Sequence, residues 1–348
     1  MIHLSVIMPV RNEAEHIADS LDRLLAQHYE TGKLEILVID GMSEDATPLI
    51  VQEYVQKHPD IIRYFENPKR LSSAARNVAL RNAKGEAVII VDGHCFLDGN
   101  DMLQRVDAAF AQSGADCLGR PIFVQEMKDA PLFQWANATA RESPLGHHAD
   151  SFMYSNRAQF TPASSTAIAF RMSVFEKVGT FDENFDAAED VEFNTRIDAA
   201  GLKCWFEPAI AIRYEPRKTV MGLAYQVNRY GRGRVQVWRK HRHTASLKSF
   251  APGFFTLGVI VGFLTTFITP AVLPLRLTLP ILLTIYSVAA LYLLIVMAES
   301  ARLAIMQKRP VIFPGLIVAF ITIHFGYGWG MLREFFFPKR VSKGTNAP

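Results

Sequence analysis

The first 90 residues alternate short apolar runs with segments of helical spacing, and few folds accommodate that order. Leu4 to Val10, Leu34 to Ile39, Ile61 to Phe65 and Ala87 to Val91 read as strands of a buried parallel sheet. Between them, residues 12 to 27 place Ile17, Leu21, Leu24 and Leu25 on one helical face. A second helix follows Pro48, and a third runs over 72 to 83 with Ser72 as its cap. Strand, helix, strand, helix predicts an α/β fold, Rossmann-like, with a mostly parallel sheet and helices on both faces.

Ligands of such sheets bind beyond the carboxyl ends of the strands. Four sets of polar residues fall there: Arg11, Asn12 and Glu13; Asp40, Ser43 and Asp45; Asn67 and Arg70; Asp92 and His94. Asp40 suits a base N–H or a ribose hydroxyl, or else caps its own turn. Asp92-Gly93-His94 offers a carboxylate and an imidazole two positions apart, which suits Mg²⁺ or Mn²⁺ shared with a diphosphate. Asp-Gly is also a common turn. No G-x-G-x-x-G and no G-x-x-x-x-G-K-[ST] follows the first strand, which argues against a nicotinamide dehydrogenase and a P-loop enzyme. The missing glycine-rich loop with a following basic residue also disfavours a nucleotidyltransferase.

Further on, Trp135 to His148 and Phe152 to Thr166 read as loops over a cleft. A short helix is expected near 173 to 179 and another over 188 to 200. Glu189, Asp190 and Glu192 crowd its start, either as helix-dipole compensation or as a source of a general base. Asp190 is the first choice of base and Glu189 the second.

Composition then divides the chain. The average, 49% hydrophobic and 20% charged, hides a C-terminal hundred residues dominated by apolar runs at about 253–273, 277–297 and 311–331. Each approaches the roughly 20 residues needed to cross a bilayer. Net charge is only +3, but arginines and lysines crowd into 213 to 242 just before the first run, as on a cytoplasmic membrane flank. Pro270 and Pro274 are expected to break the first run from the second. Gly326-Tyr327-Gly328-Trp329-Gly330 weakens the third, and Lys339, Arg340 and Lys343 fit three crossings poorly. Gln226, Arg229, Tyr230 and Arg232 in the basic stretch suit a pyrophosphate or a lipid phosphate. Three scattered cysteines form neither a disulfide nor a zinc pattern, and no signal peptide is evident at the N-terminus.

Taken in order, Ser5 to Glu13, Val38 to Thr47, Asp92-Gly93-His94, and Phe181-Asp182-Glu183 with Glu189-Asp190 resemble glycosyltransferase family 2. The resemblance covers about residues 1–240. It implies the GT-A fold, a nucleotide-sugar donor such as a UDP-hexose, and inversion at the anomeric carbon. By that pattern Pro9, Arg11, Glu13, Asp40 and Asp92 bind the donor, Asp92 and His94 meet the metal, and Asp190 is the base. His94 stands where the family usually has a second aspartate. Gln226 to Tyr230 is similar to the family's Q-x-x-R-W, with Tyr for Trp.

Within the family the chain looks most like the membrane-bound succinoglycan or exopolysaccharide type. This implies a polyprenyl-diphosphate-linked acceptor and contact with membrane lipids, without nucleic acid. The expected organisation is a cytoplasmic GT-A domain over 1–248, with a nucleotide-binding half at 1–95, an acceptor half at 96–215 and a basic interfacial segment at 216–248. A multi-pass domain over 249–348 would follow in the plasma (inner) membrane, with two to three transmembrane helices. A processive polysaccharide synthase and an inactive scaffold of the same fold are the alternatives.

Overall fold

A computed structural model describes residues 3–30, 32–125, 130–146, 152, 155–245 and 247–338. The expected charges Lys339, Arg340 and Lys343 lie outside the described residues. The chain forms two compact units: Met1–Glu126 with Asp150–Glu215, and Met127–Ala149 with Pro216–Pro348.

The first unit opens with β1 (Leu4–Val10), α1 (Ile17–Leu25), β2 (Leu34–Asp40), α2 (Thr47–Lys57), β3 (Ile62–Glu66), α3 (Ser72–Asn82) and β4 (Ala87–Ile90). All four strands are parallel, in the order β3-β2-β1-β4. Alternate side chains serve two cores. Val6, Met8 and Val10 face α1, while Ile7, Leu37 and Ile39 face α3.

Helices therefore cover both faces, as the alternation predicts. α1 begins at Ile17 rather than near residue 12, because residues 12 to 14 are bonded into the neighbouring loop.

The unit continues with β5 (Cys95–Leu97), α4 (Met102–Ser113), β6 (Cys117–Gly119) and β7 (Ile122–Val124). After α5 (Leu132–Glu142), which belongs to the second unit, come β8 (Gln159–Thr161), α6 (Ala163–Thr166), β9 (Ala167–Arg171), α7 (Met172–Val178), α8 (Glu189–Ala199), β10 (Cys204–Phe206) and β11 (Ile212–Tyr214). The main sheet extends to eight strands, β3-β2-β1-β4-β9-β6-β10-β8. β9 is antiparallel to both β4 and β6, so β6 points the same way as β4. β10 is parallel to β6, and β8 closes the edge antiparallel. β5, β11 and β7 form a small second sheet. Phe170, Phe175, Phe181 and Phe193 pack ring against ring beneath α7 and α8, with centroids 4.4 to 6.3 Å apart.

Two expected loops take a different form. Residues 135–142 of the first belong to helix α5, whose buried side is small or polar: Gln134, Ala136, Asn137, Ala138, Thr139 and Ala140. Such a face carries little apolar periodicity to read. His148 lies outside the described residues, as do Met153 and Tyr154 of the second loop, which includes β8 and α6.

The second unit holds α5, α9 (Val220–Lys240), α10 (Leu247–Val272), α11 (Leu275–Met306) and α12 (Phe313–Phe336). Among the described residues three helices are long and apolar enough to cross a membrane: 249–272, 275–306 and 310–336, with 24, 32 and 27 residues. Pro270 does not end the first; it lies inside α10, and the break comes at residues 273–274. The glycine-rich stretch that weakens the third run is continuous helix. A Cβ on Gly328 would strike the Pro252 carbonyl, one on Gly330 the Asn228 carbonyl, and one on Gly231 the Tyr327 carbonyl. These glycines let α9 and α10 touch α12 backbone to backbone.

Candidate active site

Four parallel strand tips build one edge of the first unit. Asp40 ends β2 at 2% exposure. It accepts the Ser43 N–H at 3.0 Å, the Ser43 hydroxyl at 2.5 Å and the Tyr64 hydroxyl at 3.3 Å. Burial and this carboxylate push the Tyr64 phenol up to about 12. Met42, at φ 57°, makes the tight turn that brings Ser43 back to Asp40. Asp40 thus caps its own turn and is held rigid at the strand tip.

Several residues of the two N-terminal motifs join loops to one another. The Asn12 N–H donates to Ser43 Oγ, and Asn12 Oδ1 accepts the Glu44 N–H, both at 2.8 Å. The Glu13 N–H reaches Thr47 Oγ1 at 2.8 Å, and the Ala14 N–H reaches Asp45 at 3.1 Å. Asn67 is buried and donates its backbone N–H to Asp40 O at 2.7 Å. Arg11 stays exposed, and its side chain lies over Gly41. Pro9 is half-buried within β1.

Asp92 follows β4 and is half-buried. Gly93 sits so close to β1 that a Cβ there would lie 2.8 Å from Val10 Cγ1 and 3.3 Å from Glu13 Cγ. His94 Nδ1 is 2.8 Å from Glu13 Oε1. A carboxylate accepts only, so Nδ1 carries the proton and Nε2 is the electron-pair nitrogen of the neutral ring. A carboxylate behind an imidazole is the usual support for a metal-ligating histidine. Among the described residues no group of three or more His, Cys, Asp or Glu side chains could hold a metal ion. A cation held by Asp92 and His94 would therefore need phosphate and water to complete its shell, and could not sit in a closed protein cage.

α8 sorts the three acids at its start. Glu192 is fully buried and pairs with Arg196 at 3.0 Å. Glu189 is buried and lies 3.2 Å from Arg76 of α3, itself buried. Asp190 is exposed, with its carboxylate accepting the Val191 N–H at 2.8 Å. Burial raises the Glu189 carboxyl above its ordinary range, against the pull of Arg76. Burial also opposes the Arg76 charge, but Glu189, Asp92 and Asp190 together outweigh it and hold the guanidinium protonated.

Arg76 therefore pairs with Glu189 and is acted on by the charges of Asp92 and Asp190, and sequence reasoning missed it. Its segment, Ser72 to Asn82, shows only a small-residue helix. α3 is also fixed to the Phe181-Asp182-Glu183 segment, since Asn77 bonds Phe181 in both directions and reaches Glu183 at 2.9 Å.

The other expected site residues lie on α9 in the second unit. Gln226 Nε2 donates to the Tyr230 hydroxyl at 3.1 Å, and Arg141 donates to Gln226 Oε1 at 3.2 Å. The Arg229 guanidinium lies 5.9 Å from the Tyr225 ring centroid. Arg232 is turned inward to Glu334, 3.2 Å away.

This arrangement has relatives. The family model described as Glycosyl transferase family 2 matches residues 5–179, just over half of the chain. The succinoglycan biosynthesis protein ExoA of Rhizobium meliloti is 29% identical over 71% of this chain and 73% of its own length. A dolichyl N-acetyl-α-D-glucosaminyl phosphate 3-β-D-2,3-diacetamido-2,3-dideoxy-β-D-glucuronosyltransferase of Methanococcus voltae is 26% identical over 96% of this chain and 98% of its own. Among solved structures, the mannosyltransferase PcManGT from Pyrobaculum calidifontis, in complex with GDP-Man and Mn²⁺, aligns with a TM-score of 0.53. It is 22% identical and covers 92% of this chain and 86% of that one, a likeness of fold. A GT-A-like sheet whose strand tips carry the motif residues, matched by the family over half its length, makes the chain a member of glycosyltransferase family 2.

Proposed function

We propose that the protein transfers one hexose from a UDP-sugar to a polyprenyl-diphosphate-linked saccharide at the cytoplasmic face of a membrane, with inversion. The observation that carries this reading is the parallel sheet edge that bears Asp40 and Asp92, with buried Arg76 paired to Glu189 at the helix entrance and acted on by the charges of Asp92 and Asp190. A leaving-group site and a candidate base are thereby tied to one buried cation.

In this reading Asp40, rigid in its turn, accepts a hydrogen bond from the uracil or ribose, and Pro9, Arg11 and Glu13 line the nucleoside pocket. Asp92 and His94 would hold a divalent cation, which when bound neutralises the charge developing on the diphosphate. Asp190 takes the proton of the acceptor hydroxyl. The acceptor oxygen bonds the anomeric carbon as the bond from that carbon to the phosphate oxygen breaks, and UDP leaves with the electron pair. Glu189 contributes differently: it is buried against Arg76, so it orients the helix entrance rather than meeting substrate. On α9, Gln226, Arg229 and Tyr230 offer a basic and aromatic surface to the acceptor's lipid phosphate, whereas Arg232 is engaged by Glu334.

Three helices long enough to span a bilayer, preceded by a basic helix, support a multi-pass anchor with the catalytic unit on the cytoplasmic side. The test is a screen of UDP- and GDP-sugars with purified protein in detergent and extracted membrane lipids, read by mass. A single added hexose on a lipid-linked product is expected. A ladder of additions would replace this reading with a processive synthase, and no donor turnover at all with an inactive scaffold.

A further inference from the structure

Arg120 stands at a fifth strand tip, one that the motifs do not reveal. It follows β6, which runs parallel to β4 with β9 between them, so it emerges at the same sheet edge as Asp92. It is 3% exposed. One terminal nitrogen, Nη2, donates to Ile90 O at 3.0 Å, two residues before Asp92. Nε and Nη1 find no hydrogen-bond partner among the described residues. A guanidinium buried with donors unspent is costly, and such a group persists where a nearby negative charge compensates it. Burial opposes the Arg120 charge and is the larger influence; Asp92, two residues beyond the Ile90 carbonyl that Arg120 bonds, is the carboxylate that acts in its favour and serves as its countercharge. Arg76 also feels Asp92, but it has Glu189 as its own carboxylate.

We propose that Arg120 is a positioning residue for Asp92: its buried charge keeps the β4 tip a poor cation site alone and a good one once a diphosphate is present. The proposal rests on the reading of Asp92 as a cation-holding residue. The physical reason is a matter of sign. A divalent cation approaching Asp92 meets one carboxylate already partly compensated by the guanidinium behind it, and the guanidinium repels it. A nucleoside diphosphate brings several negative charges to the same edge and restores a net attraction. Cation and donor then bind as a unit, and the free enzyme does not hold a cation in an unproductive geometry.

The test uses the full chain in detergent, with Mn²⁺ binding followed by electron paramagnetic resonance, alone and with uridine diphosphate. In the unaltered protein, uridine diphosphate should tighten Mn²⁺ binding at least about tenfold, the scale of one added charge pair at short range. Arg120→Met should tighten binding of Mn²⁺ alone by about the same factor and shrink the gain from uridine diphosphate. Arg120→Lys, which keeps the charge, should behave as the unaltered protein.

An Arg120→Met protein that melts cooperatively yet binds Mn²⁺ alone with unaltered or weaker affinity would overturn the proposal. If Arg120→Met does not fold, the unaltered protein decides: equal Mn²⁺ affinity with and without uridine diphosphate overturns it. Asp92→Asn separates the two readings. Mn²⁺ binding that survives this change in the presence of uridine diphosphate removes Asp92 as a ligand, whatever Arg120 does.

Discussion

The two units treat buried charge in opposite ways. In the first, buried Arg76 pairs with buried Glu189, while Asp92 and Asp190, whose charges also act on it, keep access to solvent. In the second, the buried acid Glu334, 1% exposed, is approached by Arg232 at 3.2 Å and Arg239 at 3.5 Å, which ties α12 to α9. The first arrangement leaves carboxylates at a surface where a ligand can use them. The second leaves none, and works as a clasp between helices. The same residue types leave acids open in one place and join helices in the other, and what separates them is whether an acid at the cluster still meets solvent.

The comparison can be broken most severely at the strand tips. If Asp92 and His94 hold a cation with the diphosphate, excess chelator abolishes turnover and Mg²⁺ or Mn²⁺ restores it. Full turnover in chelator, measured as released UDP, would leave the edge of the first unit without its proposed use. Next in size is Asp190→Asn, expected to keep donor binding while lowering turnover by about 10² to 10⁴. Donor affinity and turnover measured on the same preparation check this. A variant with normal turnover removes Asp190 from the mechanism.

Why these residues were legible and others were not follows from how far their partners lie along the chain. Strands β1 to β4 are single apolar runs, so they and their polar tips can be read locally. Asp40 and Ser43 are three residues apart, and Asp92 and His94 two. Arg76 meets Glu189 across 113 positions, Arg232 meets Glu334 across 102, and neither arginine carries a local sign of its partner. Arg120 ends a strand of three residues, too short to show a period. Helix α5 reads as a loop because its buried side is alanine, glutamine, asparagine and threonine. Residues of the motifs that read as ligand-facing, among them Asn12, Ser43 and Asp45, bond neighbouring loops instead, which sequence patterns do not distinguish from binding a ligand.

A third pair of variants sharpens the contrast between the units. Glu334→Gln leaves two arginines without their acid and is expected to cost about 3–5 kcal/mol of stability, whereas Glu189→Gln should cost much less, because burial already makes the ionised form of Glu189 the less favoured one. Thermal unfolding in detergent reports both. Only Glu189→Gln should also lower turnover, because only it bears on Asp190. Glu189 also carries a pH signature. The folded Glu189 carboxyl is raised above the ordinary glutamate value of 4.5, with burial the main cause. A raised value means that the native state holds the proton more tightly than the unfolded chain. Its contribution is therefore fully present below pH 4.5 and is lost as pH rises through the folded value. Glu189→Gln should lack that decline. An identical slope of stability against pH in the variant and the unaltered protein would show that Glu189 does not titrate in this way.

The smallest expected effect tests the clasp itself. Gly231 of α9 lies against the Tyr327 carbonyl and the Met331 N–H side of α12, with no room for a Cβ. Its φ is not in the left-handed region, so the requirement is for space and not for backbone freedom. Gly231→Ala improves helix propensity by about 1 kcal/mol, and in an open helix it would stabilise. Here the added methyl forces the helices apart, at about 1–3 kcal/mol for overpacking, so the net change is a small loss. Gly258 of α10, with nothing near its Cβ position, is the control in which the same substitution meets no clash. A Gly231→Ala protein that melts higher than the Gly258→Ala protein would mean that α9 and α12 do not touch backbone to backbone. The second unit would then owe its cohesion to Glu334 and its two arginines rather than to glycine-lined contact.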